Sequence, residues 1–449
     1  MGKGQGKQRF PGERGLVAGL AVDALGNGMY IPFSLVFFRH VTGLPLPVIG
    51  LVLTVTGLVG MACLPLIGAA VDRFGARRMQ LTLYTVRGAV FAVYPLAGSL
   101  PAFAAVALVA AVATSGHPAV QQARIGELVT GAALVRMQAL MRSLANAGLG
   151  AGSLAAALLV ALAGDSGYSV AAWLNAASFL VAGLLARRVP AGRRATAGPA
   201  AARAGYRTVF ADRPFLGLTA ANFLIALGYA SLAILLPVFV TGVLHASASV
   251  TGVAFAVNTV LCAALGVPAG RLVNRFTARH RAAVAGAALF AVAFLAQALL
   301  VPHAGAWTTG ALLTAVVLAT LGEVLHNPAA STLVAEAAPA ALRGRYMAAY
   351  QLSWSLSSAL APSLFTGLSA LDGRLPWLVL AVSVLAGAAL LTRAARALKP
   401  TAGTTTGAAA QPAAGEPAAA AHRVLVHAPA AAEAGSPVPA RVVAASTVR

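Results

Sequence analysis

The chain has 449 residues, 59% of them hydrophobic and only 10% charged, with a mean hydropathy of +0.82. Soluble domains carry roughly 25% charged residues, so these are too few charges to coat a water-soluble globule of this size. A net charge of +21 raises the question of nucleic acid, but the basic residues form no face with interleaved aromatics, and nucleic-acid binding is excluded.

The arginines and lysines fall instead in short clusters between apolar runs: Lys3 to Arg14, Arg73 to Arg78, Arg187 to Arg213, Arg271 to Arg281, Arg343 with Arg345, and Arg393 to Lys399. The alternate connections hold only Arg39 and Arg374. This is the positive-inside pattern of a multi-pass membrane protein, and it predicts both termini in the cytoplasm, with the lipid bilayer as surroundings. The abundance of Arg and Ala reads as the coding bias of a GC-rich genome, and the expected location is a bacterial cytoplasmic membrane.

Residues 1–14 are a basic lead-in. The first apolar stretch, Gly15 to Phe38, is long enough to cross a bilayer and has no small-residue cleavage site, so it reads as a span and not as a cleavable signal peptide. It contains Asp23, Asn27, Tyr30 and Pro32. A second span, Val48 to Ile67, leads into a charged turn, and a third, Leu81 to Leu100, contains Arg87. Pro101 opens a fourth that ends near His117-Pro118 and passes into a connection holding Arg124, Glu127 and Arg136. The fifth and sixth spans, 138–163 and 168–186, complete a six-helix half over residues 15–186.

Residues 187–213, rich in Arg, Ala, Gly and Pro, read as a cytoplasmic linker. Spans seven to twelve follow at 215–240, 248–269, 282–302, 307–333, 346–370 and 376–392, making a second half over 214–395. Residues 396–449 are Ala, Pro, Thr and Gly with scattered charge, a composition that predicts a disordered cytoplasmic tail. Cys63 and Cys262 lie inside apolar runs, where a small soft side chain packs, and neither suggests a disulfide or a metal site.

Between the second and third spans stands Gly68-Ala-Ala-Val-Asp72-Arg73-Phe-Gly75-Ala-Arg77-Arg78. In such a turn a Gly lets a neighbouring helix come close, an Asp faces a positive helix end, and clustered Arg hold the turn on the cytoplasmic side. A second copy, Gly270-Arg-Leu-Val-Asn274-Arg275-Phe-Thr-Ala-Arg279-His280, lies 202 residues on, and the same offset relates Leu25-Gly26 to Leu227-Gly228. Arg136 and Ala151 to Leu154 match Arg345 and Ala361 to Leu364 at offsets of 209 and 210. The chain is therefore a duplicated six-helix unit.

The charged stretch resembles the G-x-x-x-D-R-x-G-x-R-R loop signature of the major facilitator superfamily. The resemblance covers residues 15–395. It implies an all-α membrane protein of twelve transmembrane helices in two pseudo-symmetric six-helix bundles, with a small-molecule substrate held between them near mid-membrane. By the same resemblance the stretch gates: Asp72 should face the start of the eleventh helix near Tyr346 to Ala349, and Arg77 should pair with Glu127. Asn274, where the first copy has Asp72, makes a weaker latch with Gly270 and Arg275. The plainer reading is topology-setting by positive charge.

Two carboxylates lie well inside apolar runs, Asp23 in the first span and Glu323 in the tenth. A charge at mid-bilayer costs on the order of 3 kcal/mol on insertion scales, so it is rarely placed there without a role. A carboxyl group held away from water can take up and release a proton near neutral pH, as coupling to a proton gradient requires. Asp23 reads either as such a group or as the partner of Arg87 in a structural ion pair. The run Gly322-Glu323-Val-Leu-His326-Asn327-Pro328, continuing to Glu336, Arg343 to Met347 and Tyr350-Gln351, resembles the tenth and eleventh helices of drug:proton antiporters. There the matching acid takes part in proton coupling and in binding cationic substrates. His326 shares a helical face with Glu323 and is either a proton relay or a packed histidine.

Glu323-x-x-His326 also has the spacing of a di-iron ligand pair, but the spans offer only Asp23 and His117 as further ligands. An enzyme is not expected, nor a cofactor. The expected cavity is apolar and aromatic with few polar handles: Asn27, Tyr30, Asn222, Tyr229, Asn258, Tyr350, Gln351 and Trp354. Prolines inside the spans, among them Pro118, Pro237 and Pro328, would kink helices. Antiporters of the resembling group carry G-P-x-x-G-G in the fifth helix; here Gly148-Leu-Gly150-Ala-Gly152-Ser153 keeps the small residues and lacks the proline. The expectation is a monomer that exports a lipophilic, cationic small molecule in exchange for protons. Alternatives are metabolite uptake or facilitated diffusion on the same fold, and a non-transporting sensor or scaffold.

Overall fold

The computed structural model describes residues 12–129, 131–190, 207–275, 279–301, 306–338 and 342–397. Most of the basic lead-in, the centre of the linker and the tail from 398 on lie outside these residues.

All described elements are helical. The first span is α1 (Glu13–Tyr30), a 3-10 turn (Ile31–Phe33) and α2 (Ser34–Thr42). Pro32, lacking an N–H, sits where the regular helix breaks. The second span is α3 (Leu46–Ala62) and α4 (Leu64–Phe74), bent by 44° ahead of Pro65. α5 (Ala76–Val93), α6 (Leu100–Leu128), α7 (Gly131–Ala163) and α8 (Ser166–Arg187) follow. A short α9 (Arg207–Ala211) precedes α10 (Arg213–Ala230), which widens into π-helical turns at Ser231–Leu235 and Phe239–Val243 around α11 (Leu236–Val238). Pro237 within α11 withholds the N–H that a regular helix would use there. The last rods are α12 (Ala248–Arg275), α13 (Arg279–Leu300), α14 (Ala306–Ala337), α15 (Arg343–Leu371) and α16 (Leu375–Ala397).

Among the described residues nine helices are long and apolar enough to cross a membrane, and the bent α3–α4 pair makes a tenth. α5 and α15, which carry arginines and other polar residues, run beside them.

Two expectations change. The charged stretch is not a turn over its length: Gly68 to Phe74 belong to α4, and the chain reverses at Gly75, whose φ of 85° suits glycine. Pro118 does not end the fourth span, because α6 runs on to Leu128 and carries Arg124 and Glu127 on its last turns. A proline inside a membrane helix is tolerated where its surroundings satisfy the freed backbone groups.

The packing is duplicated as the sequence repeat requires. In the first half α1 packs on α7 and α8, α5 on α6 and α8, and α3 on α6; in the second α10 packs on α15 and α16, α13 on α14 and α16, and α12 on α14. Each half has its own aromatic core, built on residues such as Phe38, Phe91 and Phe103 in one and Phe239, Phe294 and Trp377 in the other. Gly148 and Gly152 of α7 lie against the backbone of α1, which is what the small residues of that stretch permit.

The halves meet through α3 with α15 and α7 with α12. Ser363 Oγ donates to Thr54 Oγ1 at 2.7 Å, and Thr259 Oγ1 donates to the Asn146 carbonyl at 3.3 Å. Gly252 lies against Ala157 and Ser153, and the Ile31–Phe33 turn touches the Ser231–Leu235 turn. These contacts occupy the middle of the helices and the ends away from the arginine clusters. Toward the arginine-rich ends, Gly68, Gly266 and Gly270 face open space, with nothing within 4 Å of where a Cβ would stand.

Candidate functional site

In the first half, Asp23 and Arg87 form a buried ion pair. Arg87 Nη1 lies 3.2 Å from Asp23 Oδ1, and Arg87 Nη2 donates to Asn27 Oδ1 at 3.0 Å. Asn27 Nδ2 in turn donates to the Asp23 carbonyl at 2.8 Å, and the guanidinium carbon sits 3.8 Å from the centre of the Phe179 ring. One turn of α1 thus presents Asp23 and Asn27, four residues apart, to one arginine of α5.

This cluster borders a cavity of about 760 Å³ between α1, α5, α6 and α7. Its polar lining also includes His117, Gln121 and Gln122 of α6 and Gln138 and Asn146 of α7. The sequence reading missed these as lining residues, although two adjacent glutamines and an asparagine inside apolar runs were a visible signal. His117, weighed only as a metal ligand, is buried against Tyr84 with ring centres 5.1 Å apart, and its Nε2 has no partner among the described residues.

In the second half, Glu323 points into the bundle. Asn258 Nδ2 of α12 donates to its Oε2 at 3.0 Å and to Thr320 Oγ1 at 3.1 Å. No cation lies within ion-pair reach of Glu323 among the described residues. His326 is buried, and its Nδ1 is 3.0 Å from Tyr229 OH, which also donates to the Glu323 backbone carbonyl at 3.4 Å. Tyr229 packs edge-on against Trp354 at 4.9 Å and against Phe290 at 5.0 Å. The side chain that bonds the Glu323 carboxylate is therefore Asn258, while His326 answers to Tyr229.

The expected cavity residues divide. Asn27 lines the large cavity, and Tyr229, Asn258 and Trp354 surround Glu323 or Tyr229. Asn222 and Tyr350 line a separate small pocket with His326, and there Tyr350 OH donates to Asn222 Oδ1 and Asn222 Nδ2 to Ser353 Oγ, both at 2.6 Å, clamping α10 to α15. Gln351 is exposed. Tyr30 does not face the cavity, because the break at Ile31 turns it into a cluster with Phe91 at 4.6 Å and with Phe37 and Phe38 at 6.0 Å.

The gate also departs from expectation. Arg77 does not pair with Glu127; its Nη2 donates to the Arg187 carbonyl at the end of α8, at 2.7 Å. Glu127 Oε2 pairs with Arg124 at 3.1 Å, and its Oε1 accepts the Ala76 N–H at 3.3 Å, capping α5. Arg124 also donates to the Val189 and Pro190 carbonyls just beyond α8, so two arginines hold the chain where it leaves that helix. Asp72 is exposed, with no ion-pair partner among the described residues, and the carboxylate at Tyr346 is Asp212, whose Oδ2 accepts the hydroxyl at 2.9 Å. Arg73 and Arg78 are exposed, and the side chains of Asn274 and Arg275 lie outside the described residues. Among the described residues no three His, Cys, Asp or Glu are grouped to hold a metal.

The sequence profile of the Major Facilitator Superfamily matches residues 16–242 and again 218–444. No curated protein matches the sequence. Among solved structures, the chain is similar to a bacterial homologue of the iron transporter ferroportin, at TM-score 0.68 and 14% identity over 86% of this chain and 98% of that one. It is similar to a bacterial homolog of the human lysosomal transporter Spinster at TM-score 0.68 and 14% identity, over 86% and 96%. It is similar also to a D-xylose-proton symporter at TM-score 0.66 and 16% identity, over 84% and 96%. At these identities the likeness speaks for the fold. With the duplicated packing and the profile matching both halves, the chain belongs to the Major Facilitator Superfamily and is a membrane transporter.

Proposed function

We propose that this transporter exports a lipophilic, cationic small molecule in exchange for protons, by alternating access, with Glu323 as the coupling carboxylate. The observation that carries the reading is the environment of Glu323. Its carboxylate is turned into the bundle beside Tyr229 and bonded by a neutral amide, with no cation in reach among the described residues. A charge so placed is costly, and either a proton or a cationic substrate relieves the cost. Binding of one then displaces the other, which is antiport. Asp23 differs, since Arg87 already neutralises it; its part in coupling is to open that pair when protonated. His326, held by Tyr229, serves as the neighbouring relay.

The same reading puts a gate at the arginine-rich end. Gly68 and Gly270 face open space there, and Asp72 is free to meet the start of α15 when the halves close over the substrate. We place that end in the cytoplasm of a bacterium, with both termini on the same side, all twelve rods spanning the membrane and the protein a monomer of two six-helix domains.

The test is uptake of a fluorescent lipophilic cation such as ethidium into energised inside-out vesicles. Glu323→Gln should abolish accumulation driven by the proton gradient while keeping exchange between labelled and unlabelled substrate. Unchanged uphill accumulation overturns the proposal. A second reading, facilitated passage of a polar metabolite, is favoured by the glutamines and asparagines lining the large cavity. It expects flux of a polar solute that continues after the gradient is dissipated.

A further inference from the structure

Beside Glu323 lies a small pocket between α10, α13, α14 and α16. It encloses about 30 Å³ and is lined by Glu323, Thr320, Gln297, Ser231 and Trp377, among apolar neighbours. Two of these carry buried polar atoms with no hydrogen-bond partner among the described residues: Gln297 Oε1, on a side chain 3% exposed, and Trp377 Nε1, on one that is fully buried. One is an acceptor and the other a donor. Leaving either unpaired in a membrane interior is unfavourable. A water molecule needs roughly 10–15 Å³ and two to four polar partners. The pocket offers both.

We propose that this pocket holds ordered water that joins Glu323 to Gln297 and Trp377, and that protons reach the carboxylate through it from the membrane face opposite the arginine-rich one. The inference rests on the reading of Glu323 given above. Water molecules bonded to one another donate to Gln297 Oε1 and to a Glu323 carboxylate oxygen and accept from Trp377 Nε1. A proton arriving as hydronium passes to Glu323, leaving neutral water in the pocket and a neutral carboxylic acid on the helix.

The direction of the route follows from where the residues stand. Val316, Ala319, Thr320 and Glu323 lie on one face of α14, extending from the carboxylate toward that helix's first residue. Gln297 is in the last turn of α13 and Trp377 in the first turn of α16, both at the end away from the arginine clusters. The π-helical turn at Ser231–Leu235 contributes Ser231 and Leu232, and its wider bore helps make the room. The other titratable groups around Glu323 are Tyr229 of α10, Cys262 of α12 and His326 of α14; none of them but Tyr229 lines this pocket. Protons and substrate would then approach Glu323 from opposite sides, and Gln297 and Trp377 are positioning residues for the proton.

The test uses the full chain in lipid nanodiscs. In infrared titrations, the protonated-carboxyl band that Glu323→Gln removes should shift in both Gln297→Leu and Trp377→Phe, and its hydrogen–deuterium exchange should slow at least tenfold. An unshifted band with unchanged exchange in both variants overturns the proposal. A second measurement does not depend on Glu323 titrating: the indole N–H of Trp377, assigned by its loss in Trp377→Phe, should exchange within minutes in the unsubstituted protein despite its burial. Protection lasting days would sink the water site. If Glu323→Gln removes no band while the indole exchanges quickly, the water site stands and the coupling role of Glu323 falls.

Discussion

Arg87 reaches from the middle of α5 to Asp23 in α1, 64 residues away in the chain, and the two meet at 3.2 Å with the Phe179 ring closing the far side of the guanidinium. Both side chains are buried, so each is the condition for the other's presence in the membrane. Removing one partner of such a pair costs about 3–5 kcal/mol, because the remaining charge is stranded. Asp23→Ala and Arg87→Met should therefore each lower the unfolding free energy by about 3 kcal/mol in detergent micelles, whereas the double variant should lose well under the sum. Additive losses from the two single substitutions would show that the pair is not coupled.

Glu323 depends on how closely α13 and α14 approach one another. A Cβ at Gly322 would stand 2.6 Å from the Gly286 carbonyl oxygen and 3.2 Å from Phe290, and a backbone oxygen cannot swing aside. Gly322→Val should cost about 1–3 kcal/mol, as overpacking does, and should reduce gradient-driven transport by turning Glu323 away from Asn258. Gly310→Val, on the same helix with nothing within 4 Å of its Cβ position, should leave the melting temperature within a degree or two. Equal effects at both positions would mean that the close approach does not matter.

If the transporter works by alternating access as proposed, the contact between α3 and α15 must break. Thr54 and Ser363 hold that contact with hydroxyl oxygens 2.7 Å apart. In a background lacking Cys63 and Cys262, Thr54→Cys with Ser363→Cys should form a disulfide on mild oxidation, stop transport, and recover on reduction. A cysteine placed at Gly68 should stay reactive to a water-soluble maleimide in the crosslinked protein, since that position faces open space. Full transport by the crosslinked form would refute a moving interface at this site.

Several of these features were legible beforehand. The repeat at 202 residues led directly to the duplicated packing, because two copies of one pattern bury the same faces. Pairing Asp23 with Arg87, two ionisable residues inside apolar runs, was one of the two readings that their cost supported. The gate was read less well. Arg77 and Glu127 looked complementary, yet each serves a helix end, Arg77 the last carbonyl of α8 and Glu127 the first N–H of α5. Unsatisfied backbone at a helix terminus competes for charged side chains as strongly as an opposite charge does.

Composition, charge clusters and the internal repeat by themselves determined that the chain is a duplicated helical bundle in a membrane with a few costly ionisable groups inside it. Which way each helix turns was decided only by tertiary structure. A membrane helix is apolar on its lipid face and on its packing face alike, so the sequence carries little periodicity to orient it. That is why Tyr30 went unrecognised as part of an aromatic core, why the glutamines of α6 were passed over as cavity lining, and why Asn258 emerged as the partner of Glu323 only once α12 was packed on α14.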